Sequence, residues 1–310
     1  MEFKHISVLY NETLDALNIR PDGLYIDCTA GGGGHSAGIA ERLDTGRLIA
    51  IDQDPDAISN LNKRFENNKK VTVVHENFAD LEAILLSMDI QGSCVNGILA
   101  DLGVSSYQLD NGSRGFSFHK DAPLDMRMSA QGVSAGDLVN NLSQQELQTI
   151  LYKYGDEKFA PAIARNIVKE REKKPIETTL ELAEIIANSY PAKARRDGHP
   201  ARKTFQALRI EVNGELEKLE KAIDIMFDSL DIGGRLAIIT FHSLEDRIVK
   251  THFKSFCEGC ICPPDFPVCV CGRVPRGKIP FKPVLPGKEE LENNPRSRSA
   301  KLRVIEKINP

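Results

Sequence analysis

Three aspartates carry the chemistry open to this chain: Asp27, Asp52 and Asp101 each close a short apolar run, and small residues follow the first and third. Leu24-Tyr25-Ile26-Asp27 passes through Cys28-Thr29-Ala30 into four consecutive glycines, Gly31 to Gly34. Ser36-Ala37-Gly38-Ile39-Ala40-Glu41-Arg42-Leu43 then has helical spacing. The pattern predicts strand, tight turn and helix. Glycines let the backbone take positive φ and let a ligand approach with no Cβ in the way. A helix start also offers unpaired N–H groups, which suit carboxylate, phosphate or ribose oxygens. Taken alone, a glycine-rich turn is as readily a plain turn as a binding loop.

The second run changes that balance. Gly46-Arg47-Leu48-Ile49-Ala50-Ile51-Asp52 ends in an acid 25 positions after Asp27, where a nucleoside-binding α/β fold places the acceptor for its ribose hydroxyls. The dinucleotide pattern G-x-G-x-x-G aligns at Gly31 and Gly33 but meets Ser36 at its third glycine, which weakens a pyrophosphate site. An S-adenosylmethionine site has no pyrophosphate to cradle; it needs room for a sulfonium, an amino-acid end and a ribose. Val71-Thr72-Val73-Val74-His75 reads as a third strand, and Phe78 just beyond it is either a face for a purine ring or a core residue. Gly97-Ile98-Leu99-Ala100-Asp101 then delivers a further carboxylate to the same edge, followed by Leu102-Gly103-Val104-Ser105-Ser106.

Alternating strands and helices must position these groups, which implies a parallel, doubly wound sheet. Asp54-Pro55 reads as the cap and first turn of the helix after Asp52. From Tyr107 to about Val212 strand signals stop. Ser143-Gln144-Gln145-Glu146 and Thr178-Thr179-Leu180-Glu181 fit capping boxes, each opening an amphipathic run. Sheet signals resume at Gly234-Arg235-Leu236-Ala237-Ile238-Ile239-Thr240-Phe241 and at Ala300-Lys301-Leu302-Arg303-Val304-Ile305. The expected domains are residues 1–106, a helical insertion at 107–212, and 213–310 with a Cys/Pro-rich extended arm at 257–295.

A chain of 310 residues, 27% charged and 41% hydrophobic, has the make-up of a globular protein with room for both units. Its net charge of −4 provides no global field for nucleic acid, so any such binding must use local patches. No apolar run approaches the length of a membrane span and the start lacks a signal peptide's core, so a cytoplasmic location is expected, with seven cysteines serving as thiols or metal ligands.

Six motifs in order then match one family. The glycine turn with His35-Ser36, Asp101-Leu102-Gly103-Val104-Ser105-Ser106, Arg114-Gly115-Phe116-Ser117-Phe118, Pro123-Leu124-Asp125-Met126-Arg127-Met128, Thr204-Phe205-Gln206-Ala207-Leu208-Arg209 and Phe241-His242-Ser243-Leu244-Glu245-Asp246-Arg247 resemble those of the bacterial ribosomal RNA small subunit methyltransferase H family, the MraW family, over nearly the whole chain. The resemblance implies a Rossmann-like, S-adenosylmethionine-dependent methyltransferase sheet with an inserted all-helical domain. It further implies N4-methylation of a cytidine in the decoding region of 16S rRNA, within the small ribosomal subunit, with a homodimer as one open form. Cofactor contacts are implied at Gly33, Gly34, His35, Asp52, Phe78, Asp101 and Gln108; His35 and Gln108 come from the resemblance alone.

Methyl transfer from a sulfonium is an in-line displacement, so positioning supplies most of the rate. Cytosine's exocyclic amine is a poor nucleophile, its lone pair delocalised into the ring. An acceptor on its N–H groups would localise that pair, and Asp101 is the catalytic candidate. The loop lacks the prolines and aromatic of the Asp/Asn-Pro-Pro-Tyr signature, so a stacking face for the base falls to Tyr107, Phe116 or Phe118, against packing roles for the two phenylalanines. His242 and Ser243 follow a strand on the same edge. Lys193, Arg195, Arg196, His199, Arg202 and Lys203, with Arg114 and Arg127, are candidate phosphate contacts.

Cys257-x2-Cys260-x-Cys262-x6-Cys269-x-Cys271 packs five thiols among Pro263, Pro264 and Pro267. A structural zinc held by candidates among Cys257, Cys260, Cys262, Cys269 and Cys271, and a metal-free thiol loop, are the two readings.

A nicotinamide-dependent oxidoreductase would share the glycine turn and Asp52, and a non-catalytic RNA-binding module would rest on the cysteine loop. The first lacks the third glycine and any identifiable hydride-transfer base; the second leaves three strand-end acids without purpose. Calorimetry should show saturable binding of S-adenosylhomocysteine and no heat with NAD, the reverse outcome favouring the oxidoreductase.

Overall fold

The computed structural model describes residues 7–191, 199–263, 268 and 270–310. The chain forms two compact units: residues up to Gly103 together with Leu216–Pro310, and Val104–Glu215.

In the first unit, α1 (Tyr10–Leu17) precedes β1 (Leu24–Asp27), α2 (Gly34–Glu41), β2 (Arg47–Asp52), α3 (Pro55–Arg64), β3 (Val71–His75), α4 (Leu81–Ser87) and β4 (Val95–Asp101). In the second, α5 (Ser106–Asp110), α6 (Ala135–Asn141), α7 (Gln144–Gly155), α8 (Ala160–Arg171), α9 (Thr179–Ser189) and α10 (Ala201–Asn213) follow. The chain continues through α11 (Glu215–Ser229), β5 (Leu230–Thr240), α12 (Ser243–Cys257), β6 (Gly277–Lys278), α13 (Lys288–Asn293) and β7 (Lys301–Lys307).

The seven strands lie in the order β3-β2-β1-β4-β5-β7-β6. The first five are parallel, and β7 runs antiparallel to both β5 and β6. Alternating side chains bury both faces, as a doubly wound sheet requires. Ile26, Ile49, Ile98, Leu236 and Ile238 face a core with Ile84, Phe227 and Phe253 of α4, α11 and α12. Tyr25, Leu48, Leu99, Ala237 and Ile239 face Leu14 and Leu17 of α1, Ile39 of α2 and, on the same layer, Leu302 and Val304. This is a Rossmann-like sheet with an antiparallel strand inserted at one edge. Strand order reverses between β1 and β4, and ligands of such sheets bind outside the strand carboxyl ends at that point.

Residues 276–299 depart from the expected extended arm. They contain β6 and α13, and Arg276 reaches Asp228 of α11. Glu290 Oε1 accepts the Leu9 amide at 2.8 Å. Two residues of strand carry too little pattern to be read from sequence.

The helical unit is stapled by polar side chains. Capping boxes open α6, α7 and α9 at Ser134, Ser143 and Thr178. Gly155 of α7 meets the α10 backbone so closely that a Cβ would lie 2.8 Å from the Lys203 carbonyl oxygen. Arg209 pairs bidentately with Glu215 at 2.8 and 2.9 Å. Asn213, 7% exposed, accepts the Met128 amide at 2.8 Å and donates to the Met126 and Arg209 carbonyls at 2.8 and 2.9 Å. It thereby holds a loop in which Met126 sits at φ 61°. Asn213→Ala leaves a buried N–H and C=O unpaired, and should cost the helical unit about 2–4 kcal/mol, measured by urea denaturation.

Candidate active site at the strand ends

The site is built in the first unit, from β1, β2 and β4. Asp27 pairs in register with Ala50 on one side and Leu99 on the other. Asp52 and Asp101 therefore stand two residues further out, about 6–7 Å beyond it. Asp27 sits recessed between them.

Its carboxylate does not face outward. Ser36 Oγ donates to Asp27 Oδ2 at 2.6 Å and the Thr29 amide to Oδ1 at 3.2 Å, so Asp27 ties the start of α2 to the end of β1. Asp52 Oδ2 accepts the Gly31 amide at 2.7 Å and Oδ1 the Asp54 amide at 2.8 Å. Burial pushes both acids up to about 6, against those hydrogen bonds.

The turn between them needs its glycines. Gly31 and Gly33 have φ of 49° and 75°, which L side chains rarely adopt. A Cβ on Gly33 would also lie 2.9 Å from Leu61 Cδ2. Arg64 and Asn60 of α3 donate to the Gly32 carbonyl at 3.0 and 3.3 Å. No side chain caps α2, so its first N–H groups meet whatever occupies the turn.

Asp101 is the unusual member. Its amide donates to Thr29 Oγ1 at 2.6 Å, while its Oδ1 is buried with no hydrogen-bond partner among the described residues. Burial raises its pKa well above the ordinary value, and the charges that raise it further are carboxylates: Asp27, Glu245 and Glu290. His35 Nδ1 lies 3.8 Å from Asp101 Oδ2. A buried acceptor left open among like charges is costly, and such groups concentrate where a ligand will supply the missing donor.

The other residues singled out from sequence occupy varied places. The His35 ring is buried in the first turn of α2, with Nε2 3.0 Å from the Val8 carbonyl. Phe78 follows β3, half-buried against the core beneath the sheet. His242 caps α12, with Glu245, itself 2% exposed, closing the box through the Phe241 and His242 amides at 2.8 and 3.2 Å. In the sequence Glu245 stands only as part of the Phe241–Arg247 motif; its effect on Asp101 depends on the fold, as does the bond of Thr29 to the Asp101 amide.

In the helical unit, Ser105 caps α5 and Gln108, buried three residues into the capping box, accepts the Ser105 amide on Oε1 at 3.0 Å. Phe116 is buried and Phe118 stacks on His199 at 4.4 Å with its edge to Phe205, so both have packing roles; Tyr107 is exposed. Arg114 donates to the Arg127 and Met128 carbonyls at 2.9 Å, and Arg127 pairs with Asp125 at 2.7 Å. Both arginines are thus engaged in holding a loop. Arg202 is exposed and Lys203 donates to the Asp156 carbonyl at 2.8 Å. Lys193, Arg195 and Arg196 lie outside the described residues.

Among the five thiols, Cys260, Cys262 and Cys271 have sulfurs within 4.8 Å of one another. Cys257 stands apart as the last residue of α12, raised by burial and accepting the Ile279 amide. Cys269 lies outside the described residues. Among the described residues no helix is long and apolar enough to cross a membrane.

A model of the MraW methylase family matches residues 2–308. This chain belongs to the MraW methylase family. Relatives named ribosomal RNA small subunit methyltransferase H are 57% identical over 311 residues in Clostridium botulinum (strain 657 / Type Ba4), covering 99% of this chain and 100% of the relative. In Lachnospira eligens the identity is 56% over 313 residues, covering 99% of each. An rRNA methylase structure from Streptococcus thermophilus aligns over 100% of this chain and 99% of its own at a TM-score of 0.42 and 11% identity, a likeness that adds nothing to the assignment. The chain is thus a methyltransferase.

Between its ordinary pKa and its raised one, folded Asp101 holds a proton that the unfolded chain has released, so the fold loses stability as pH climbs through that window. Asp27 and Asp52 act the same way between 3.8 and about 6. Asp101→Asn should therefore melt at or above wild type at pH 8, by about 2–5 °C, with a shallower decline in Tm from pH 5 to 8. Thermal melts followed by circular dichroism read this; a lower Tm for the variant throughout would show a stabilising carboxylate instead.

Proposed function

We propose that this MraW family member transfers the methyl group of S-adenosylmethionine to the exocyclic N4 of a cytidine in the decoding region of 16S rRNA, acting on the small ribosomal subunit. The observation that carries this reading is the buried, unpartnered Oδ1 of Asp101, next to a glycine turn and an uncapped helix start. The family and the names of its relatives support the substrate class.

The residues fit the cofactor. Gly33 turns the chain into α2 at φ 75°, and the helix start, which no side chain caps, offers backbone donors to a carboxylate or ribose oxygen. The Asp52 carboxylate accepts from the Gly31, Asp54 and Gln53 amides and has a lone pair beyond those, enough to accept from a ribose hydroxyl. Phe78 is at hand to lie against the adenine. The Gln108 assignment follows from the family resemblance.

When bound, the cofactor supplies an electrophilic methyl carbon on a cationic sulfonium. Asp27, Asp101, Glu245 and Glu290 make the strand ends electronegative, which favours a cation over its neutral thioether product. A nearby cation also lowers the pKa of Asp101 towards the ionised form. Asp101 then accepts a hydrogen bond from the amine, which localises the nitrogen lone pair. The same desolvation that makes Asp101 basic suits it to take the proton that the methylated amine sheds.

Small subunits lacking the modification should accept one labelled methyl group per particle from purified protein and labelled donor, mapping to N4 of a single cytidine. Asp101→Ala should retain less than about 1% of the rate, the scale of losing one transition-state interaction. Label on a ring carbon, a ribose or another base would overturn the assignment.

A further inference from the structure

We propose that Cys260, Cys262 and Cys271 bind one zinc ion, which fixes the loop between α12 and β6. Three observations meet there. Two sulfurs held about 2.3 Å from one tetrahedral zinc lie about 3.8 Å apart; Cys260 and Cys271 Sγ are 3.7 Å apart, and all three sulfurs lie within 4.8 Å of one another. That spacing is far from the ~2.05 Å of a disulfide, and it brings together residues eleven positions apart in sequence.

The loop is closed at its base, and its described apolar residues form no core. The Arg276 amide donates to the Phe256 carbonyl at 2.8 Å, and a Cβ on Gly259 would meet Pro275 at 3.3 Å. Among the described residues between these legs, Ile261, Val268, Val270 and Val274 are all exposed, so burial of these side chains does not hold the segment. Small elements without a core are held by cross-links or metals. Gly272, at φ 62°, turns the chain directly after Cys271.

Softness of the donor set selects the metal. Thiolates favour zinc over hard, oxygen-seeking cations. Binding replaces three S–H bonds by three Zn–S bonds and releases three protons to solvent, so affinity rises with pH. The fourth tetrahedral position is left to a further donor. Cys257, engaged with Ile279 and the core, is not a ligand.

Full-length protein without a histidine tag, purified reduced and without chelator, should carry one zinc per chain by plasma mass spectrometry. Cobalt(II) titration should give sulfur-to-metal charge-transfer bands and the visible bands of tetrahedral thiolate coordination. Cys260→Ser and Cys271→Ser should each weaken zinc at least about 100-fold in chelator competition, while Cys94→Ser and Cys257→Ser retain it. Zinc removal should speed proteolysis of the loop about 10-fold, with the far-ultraviolet circular dichroism unchanged. Reduced wild-type protein that fails to take up zinc overturns the proposal. So does a Cys260–Cys271 disulfide in the purified chain, equal affinity in both ligand variants, or loss of zinc in Cys257→Ser.

Discussion

Burial of negative charge at the point where strand order reverses is the constraint on which this molecule turns. Asp27, Glu245 and Glu290 all act on Asp101 there, and Asp52 acts on Asp27, and the fold must offset that repulsion. Asp27 and Glu245 are satisfied by hydroxyl and amide donors of helix starts, Ser36 for one and the Phe241 and His242 amides for the other. Those bonds stabilise the entry of the chain into α2 and α12. Asp101 is left open on one oxygen. The cost is borne in the free protein and recovered by a ligand that brings a donor or a positive charge, the usual balance between stability and activity at a site.

The sheet makes this arrangement by arithmetic. Parallel strands in register place Asp27 opposite Ala50 and Leu99, so strands that run two residues further carry their acids to a second level. The recessed acid becomes structural and the projecting ones remain available. The glycine turn completes the division, since Gly31 donates to Asp52 while Gly33 turns the chain into α2. In the helical unit a comparable task falls to Asn213 and Arg114, whose hydrogen bonds fix the loop around Met126 and Met128.

Much of this could be read from the chain because its signals are local. The apolar runs ending at Asp27, Asp52 and Asp101 are period-two or fully buried strands, and Ser143 and Thr178 cap helices through residues three positions away. What could not be read depends on partners distant in sequence. That Asp27 turns to Ser36 rather than outward is decided by how α2 enters. Arg114 and Arg127 look like phosphate ligands until their carbonyl and carboxylate partners are known. Phe116 and Phe118 are packed in the same way. β5 begins at Leu230, before the apolar run, because a register shift opposite Val95 and Gly97 admits Gly233 and Gly234 into the strand. Cysteine spacing alone groups Cys257 with the others, whereas three-dimensional placement makes it a helix terminus.

The sheet edge beyond β5 shows why an antiparallel strand and a thiol loop occur together. An exposed edge strand invites pairing with another chain. Here β7 covers β5, and the two residues of β6 cover part of β7. The chain can place β6 there only by leaving α12 and returning through residues 257–276, whose described residues Ile261, Val268, Val270 and Val274 are exposed. The return is held at its base by Arg276, which bonds the Phe256 carbonyl and pairs with Asp228. Further out Arg273 donates to the Ser255 carbonyl at 3.3 Å, and convergence of Cys260, Cys262 and Cys271 supplies a chemistry among the described residues able to cross-link the loop. A fixed return keeps β6 in register with Glu306 and Lys307, so the thiol cluster and the termination of the sheet answer the same physical need.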